Sequence, residues 1–220
     1  MRIATWNVER LKHKAHLQEI LDKCRDINAD ILVLTETDSR ICPEYRYSFH
    51  TPALIGETVP VVYADTENRV SIFTNFECVA MHPTYDGKTA VCVELETDRG
   101  NLLVYGTIIG ITGNRSASYK ADLDRQIADI NRLSAGDHAI CMVGDYNCSF
   151  SDNCYYTKYG RESMLKCFSD NNMTILTADR PECIDHIAVS DAFLGNGTIK
   201  TIEWNYDKSL SDHKGIVVEI

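Results

Sequence analysis

Val70-Ser71-Ile72-Phe73-Thr74, Ala90-Val91-Cys92-Val93-Glu94-Leu95-Glu96 and Leu102-Leu103-Val104-Tyr105-Gly106-Thr107-Ile108-Ile109 are three strand-like runs with no helical period between them. Consecutive strands without a helix between them argue against a single doubly wound sheet, where strands and helices alternate. Two sheets packed face to face, with helices on the outer faces, fit better. That makes the chain α+β.

The flanks complete the pattern. Ile3 to Trp6 is a short apolar strand, and Leu17, Ile20, Leu21, Cys24 and Ile27 mark one face of a helix over residues 16–27. Ile31-Leu32-Val33-Leu34 reads as a strand buried on both faces. Leu123, Ile127, Ile130 and Leu133 define a second helix over residues 120–133, and a strand follows at residues 139–143. A short helix over residues 161–169 and strands at 184–189, 198–204 and 215–220 close the chain. No linker, repeat or low-complexity tract interrupts residues 1–220, which read as one domain.

Composition sets limits. The 220 residues are 44% hydrophobic and 25% charged, which excludes collagen, coiled coil and bulk disorder. No stretch of about 20 apolar residues could span a membrane. The net charge is −10, so any nucleic-acid binding must rest on a local basic patch or on metal ions. The nine cysteines include no CxxC pair, and nothing resembles a zinc site. Cys78, Cys92 and Cys141 sit in apolar runs as small hydrophobes, while spacing leaves a Cys148–Cys154 contact open. With no signal peptide before Ile3, the reducing cytoplasm is the default compartment.

Polar residues directly after apolar strands carry the chemistry. Asn7 follows the first strand and Glu9 comes two residues later; Glu36 follows Leu34; Asp145 and Asn147 follow Val143. Asp185 and His186 lie within an apolar run, and Asp212 and His213 precede the last strand. Singly, such residues are usually turn formers or caps. Asp185 is harder to dismiss, because a buried charge costs several kcal/mol unless compensated. Carboxylate and Asn oxygens suit Mg²⁺ or Mn²⁺, and a His held by an Asp can act as base or polarise a phosphate. Together they point to phosphoester hydrolysis.

Five motifs in order resemble the endonuclease/exonuclease/phosphatase superfamily: Thr5-Trp6-Asn7-Val8-Glu9, Leu34-Thr35-Glu36-Thr37, Val143-Gly144-Asp145-Tyr146-Asn147, Ile184-Asp185-His186-Ile187 and Ser211-Asp212-His213. The resemblance spans nearly the whole chain. It implies a four-layer αββα sandwich of two mixed sheets, with the site at one edge. It also implies roles. Glu36 would be the main metal ligand with Asn7 and Asp212 beside it, and Glu9 would stand near a second metal position. Asp145 would orient or deprotonate the attacking water, with Asn147 hydrogen-bonding it or a phosphate oxygen. His213 would meet the scissile phosphate, oriented by Asp185. His186, on the other face of its strand, reads as structural.

One position departs from the pattern. Many members carry His or Tyr at the end of the middle strand, where this chain has Ile108 after Thr107. Thr107 offers a hydroxyl but no acid at neutral pH; Tyr105, Tyr119 and Arg115 are the candidates to take over. Arg10, Lys12, His13, Lys14 and His16 follow the Asn7 motif, and Arg115, Lys120, Lys158 and Arg161 follow other site strands. This basic rim would grip phosphates, with Arg10, Arg115, Lys120 and Thr107 as the substrate contacts. Tyr45, Tyr47, Phe49 and His50 would pack beneath a loop rather than stack on bases. The expected activity is Mg²⁺- or Mn²⁺-dependent phosphodiester hydrolysis, with nucleic acid as the leading substrate. A small phosphoester or phospholipid head group is the alternative, and Ile108 also fits a scaffold that binds without turnover.

Overall fold

The computed structural model describes every residue except 13, 137 and 196, and everything but the side chain of residue 14. The strands are β1 (Arg2–Asn7), β2 (Ile31–Asp38), β3 (Tyr47–His50), β4 (Glu67–Thr74), β5 (Glu77–His82), β6 (Ala90–Thr97), β7 (Gly100–Ile108), β8 (Ala139–Asp145), β9 (Met173–Ile175), β10 (Asp185–Ser190), β11 (Lys200–Trp204) and β12 (Gly215–Glu219). The helices are α1 (Leu17–Ile27), α2 (Ala117–Ser134), α3 (Lys158–Asp170) and the single turn α4 (Asp191–Leu194).

The strands form two six-stranded sheets, ordered β11-β12-β1-β2-β4-β3 and β5-β6-β7-β8-β10-β9. Each sheet has one parallel pair at its centre, β1–β2 or β7–β8, flanked by antiparallel neighbours. Parallel neighbours need a crossover, and α1 and α2 supply it. The carboxyl ends of both pairs come to one edge, where Asn7 and Asp145 are the last residues of β1 and β8.

Side-chain alternation explains the layers. Ile3, Ile31, Val33, Val70 and Ile72 of one sheet meet Val91, Val93, Val104, Val143 and Ile187 of the other in a shared core. Ala4, Trp6, Leu32 and Leu34 face outward under α1, against Ile20 and Cys24. Leu103, Tyr105 and Met142 face outward under α2 and α3, against Leu123, Ile130, Met164 and Phe168. Ser116 and Thr157 cap α2 and α3, each accepting a backbone N–H three residues on. The four-layer α/β/β/α order is thus the arrangement the sequence implies.

Strand ends reach further than apolar runs indicate. β2 continues to Asp38 and β4 begins at Glu67, because polar residues near the site complete the ladder. Tyr47–His50 is an edge strand paired with β4, where packing beneath a loop was the expectation. Tyr45 donates from its hydroxyl to Ala29 O at 2.9 Å, and His50 packs edge-on against Phe73. All nine cysteines are free, so Cys148 (buried) and Cys154 (exposed) do not pair.

His186 is structural, as its strand parity indicates. It is fully buried; Nε2 faces the carbonyls of Cys148 and Cys183 at 3.0 and 3.1 Å, and Nδ1 faces Thr177 Oγ1 at 2.9 Å. Carbonyls only accept, so Nε2 carries the proton and Nδ1 accepts from Thr177. Burial presses the imidazole down to about 4. A group whose pKa falls on folding stabilises the fold above its unfolded value, and loses that contribution as pH falls through the folded value. Between about pH 6.5 and 4, wild type should lose about 3 kcal/mol that His186→Gln does not lose. Paired urea titrations across this range read the difference; parallel curves would refute it.

Candidate active site

Five elements meet at the edge where the two sheets touch. Asp145 and Asp185 face each other across the antiparallel β8–β10 pair. Asn7 approaches from the other sheet: its Nδ2 donates to Asp145 Oδ2 at 3.1 Å and to Glu36 Oε1 at 3.3 Å. One buried carboxamide therefore ties together a carboxylate from each sheet. Its Oδ1 accepts the Glu9 N–H at 2.9 Å, which fixes its orientation. Asp145 Oδ1 accepts the Asn147 N–H at 2.8 Å, and Asn147 Nδ2 donates to Ile109 O at 2.9 Å.

The loop before β12 delivers His213. Ser211 Oγ donates to Asn7 O at 2.6 Å and accepts the His213 N–H at 3.2 Å. Trp6 Nε1 and Asn205 Nδ2 both donate to His213 O, at 3.2 and 2.7 Å. Asn205 and Trp6 thus act as supports that strand patterning alone does not disclose; a Trp beside a motif Asn reads simply as core.

His213 Nδ1 lies 2.6 Å from Asp185 Oδ2. The carboxylate accepts, so Nδ1 carries the proton and Nε2 is left facing the cleft. Burial opposes the imidazolium, but the Asp185 charge and hydrogen bond outweigh it and lift His213 to about 10. Asp145 is raised as well, which for a carboxyl favours the neutral form: burial lifts it to about 7, the Asp185 charge adds to the rise, and His213 opposes it. Burial and Asp185 thus favour the neutral carboxyl at Asp145 and the charged imidazole at His213.

Backbone strain gathers here. Glu36 and Asn147 have φ of 43° and 50°, and Glu9, Arg10 and Leu11 form a left-handed turn with φ of 51°, 56° and 52°. Such non-glycine conformations cost of order 1–3 kcal/mol each and persist where the surroundings enforce them. The turn places Arg10 Nε 3.3 Å from Glu36 Oε2 and lets Glu9 Oε2 accept the Asp212 N–H at 3.3 Å.

The donor set fits a hard divalent cation. Ligand atoms of Asp145, Asp185 and His213 lie within 4.8 Å of one another; with His213 held charged by Asp185 the carboxylates are the donors, and buried Asp185 Oδ1 has no hydrogen-bond partner. Glu36 adds a carboxylate through Asn7, and the Asp212 carboxylate, 64% exposed, stands 3.8 Å from His213 Nε2. Asn7 presents nitrogen rather than oxygen to the carboxylates, so it would ligate only with its amide reversed. Glu9 is engaged with Lys12 and with the Asp212 backbone.

The proposed substrate contacts fare unequally. Arg10 is in the site. Arg115 and Lys120 are exposed on the loop and helix after β7, with Lys120 Nζ 4.4 Å above the Tyr159 ring. Thr107 is fully buried and donates to Gln126 Oε1 at 2.5 Å, so it cannot touch substrate. Tyr105 and Tyr119 cannot replace the missing His or Tyr either: both are buried, bonded to Asp129 and to Tyr146 O. Arg161 is engaged with Ser149 O and the Tyr156 ring, and Lys158 with Glu162. His13 and the Lys14 side chain lie outside the described residues. Ile108, beside Asp145 in the β7–β8 register, is 2% exposed.

The architecture and the Asp–His–carboxylate edge define a class built around two packed mixed sheets. The family model of the Endonuclease/Exonuclease/phosphatase family matches residues 4–213, and the chain belongs to that family. Its members are hydrolases of phosphoester bonds. Solved structures share the fold. A 3′–5′ exonuclease from Neisseria meningitidis matches with TM-score 0.70 and 18% identity, over 100% of this chain and 99% of its own. A family protein from Leptotrichia buccalis matches with TM-score 0.70 and 15% identity, over 100% and 99%. Sphingomyelinase C from Streptomyces griseocarneus matches with TM-score 0.63 and 13% identity, over 99% and 98%. No curated protein matches the chain. Among the described residues no helix is long and apolar enough to cross a membrane.

Proposed function

We propose that the chain is a phosphodiester hydrolase dependent on Mg²⁺ or Mn²⁺, acting on nucleic acid by in-line attack of water. The observation that carries this is the 2.6 Å Asp185–His213 pair beside Asp145, which faces Asp185 across the β8–β10 ladder. Asp145 takes the proton of the attacking water, with Asn147 at its side. His213, held charged by Asp185, offers Nε2–H to a phosphate oxygen and offsets the charge that builds there. Glu36 and Asp212 would hold the cation, which supplies further charge neutralisation at the phosphoryl group. A small phosphoester stays the competing substrate, favoured by the net charge of −10.

Single-stranded, duplex and supercoiled DNA, RNA and a phosphocholine diester, each with Mg²⁺ or Mn²⁺, form the test panel. Cleavage of polymer ahead of the small diester is expected. Glu36→Gln should lower the rate at least about a hundredfold and weaken Mn²⁺ binding by calorimetry. Equal rates in Glu36→Gln and wild type would end this reading.

A further inference from the structure

Beside Glu36, on the side where Ile108 stands, lies a cavity of about 200 Å³. Its walls are mixed: Leu54, Val61 and Ile108 are apolar, while Arg10 and Arg69 bring two guanidinium groups. A separate hollow of about 500 Å³, lined by Asn147, Asp185, Asp212 and His213, opens by the catalytic pair. A ligand whose reacting phosphate sits at Glu36 and His213 would therefore have a second compartment within reach.

Arg69 is the informative residue. It is 4% exposed, on β4 between Asn68 and Val70, whose partners Thr37 and Thr35 flank Glu36 on β2. Its buried Nε has no hydrogen-bond partner, and its guanidinium makes no ion pair among the described residues. Its contact is with the Tyr63 ring, whose centroid lies 5.4 Å away; Arg10 lies 5.5 Å from the same ring. An arginine serving architecture alone usually finds a carboxylate. Arg40 does so here, with Nε and Nη2 at 2.8 and 2.7 Å from Asp38, and Arg132 does so with Asp129 at 2.9 Å. Stacking on Tyr63 orients Arg69 but leaves its buried Nε–H without an acceptor, and its charge is felt at Asp122 and Glu57 without a contact close enough to be an ion pair. A buried cation with an open donor is costly, and a phosphate answers it with paired, charge-assisted bonds.

We propose that Arg69, oriented by Tyr63 in the cavity beside Glu36, binds a second, non-scissile phosphate of the substrate. The inference rests on the phosphodiesterase reading for the place of the first phosphate. The substrate class becomes a phosphoester carrying another phosphate close by, with Leu54, Val61 and Ile108 packing the sugar between them. Ile108 then has a use: an apolar wall where a polar side chain would compete for Arg69.

Calorimetry in EDTA, with adenosine 3′,5′-bisphosphate against adenosine 5′-monophosphate, tests this without turnover. Wild type should bind the bisphosphate at least about tenfold more tightly. In Arg69→Gln the two ligands should bind alike, and in Arg69→Lys, which keeps charge but not the fork, the ratio should fall severalfold. Thermal melts verify folding, and the lysine variant carries the test if the glutamine variant does not fold. Equal affinity in wild type, no binding of either ligand, or an unchanged ratio in folded variants would overturn the proposal. A preserved ratio alongside a failed diester assay would leave the subsite standing and remove only the hydrolase reading. Dinucleotides with and without a 5′-phosphate identify the source. A kcat/KM gain on the phosphorylated form points to nucleic-acid ends; a gain confined to the bisphosphate binding assay points to a small ligand. Both support the site.

Discussion

His213→Ala should lower kcat on a phosphodiester by a factor of about 10² to 10⁴, the usual worth of a positioned proton or charge donor. Asp185→Asn should act in the same direction through His213, because a carboxamide neither stabilises the imidazolium nor enforces the Nδ1–H tautomer. The 2.6 Å contact makes the two residues one unit. The double variant should accordingly be no slower than His213→Ala alone, within about threefold, since effects of residues acting together are not additive. Single-turnover rates at saturating substrate measure all three. Losses that multiply would mean that Asp185 and His213 act separately, and the assignment of Asp185 as an orienting group would fall. A shift of the pH–rate profile in Asp185→Asn separates electrostatic support from simple loss of packing.

Gly144→Ala should destabilise the fold by about 3 kcal/mol or more, the range of severe core defects. Gly144 has φ of 140°, and a Cβ there would lie 1.9 Å from Thr107 O, a backbone atom of the neighbouring strand. The parallel β7–β8 pair must part to admit it, and Asp145 moves with β8. Gly56→Ala is the control: φ is 75° there too, but nothing lies within 4 Å. It should cost about 1 kcal/mol. For a chain of this length the difference corresponds to a gap of several degrees in Tm, about 4–8 °C. Equal melting of the two variants would show that β7 and β8 tolerate separation.

How much of this was legible in the sequence follows from its physics. Runs such as Ile31–Leu34 and Ala139–Val143 announce buried strands because both faces must be apolar. The absence of a helix between Val70 and Ile109 announces the second sheet. Polar strand ends were harder. Glu67, Asn68 and Arg69 belong to β4 and are buried, yet as polar residues they break the apolar run that marks a strand. The edge strand β3 half-exposes Tyr47 and Phe49, so its alternation is weak. At the site, residue order indicated Asn7, Glu36, Asp145, Asp185 and His213, which the fold brings together. It could not indicate that Thr107 points into a buried bond with Gln126, nor that the buried Arg69 Nε lacks an acceptor. Those are properties of packing between segments distant in sequence.

The Asn7–Asp145 bond joins one sheet to the other, and Ser211 pins the His213 loop to the same strand as Asn7. The reactive constellation therefore exists only while both halves of the sandwich are docked in register. Residues 77–190 carry one sheet as a single segment, whereas the other draws on both ends of the chain; the middle segment alone lacks Asn7, Glu36 and His213 and would be inert. During refolding, recovery of activity should lag behind recovery of circular dichroism, because secondary structure can form before the halves meet. Any turnover would thus report how two slabs of protein close on each other.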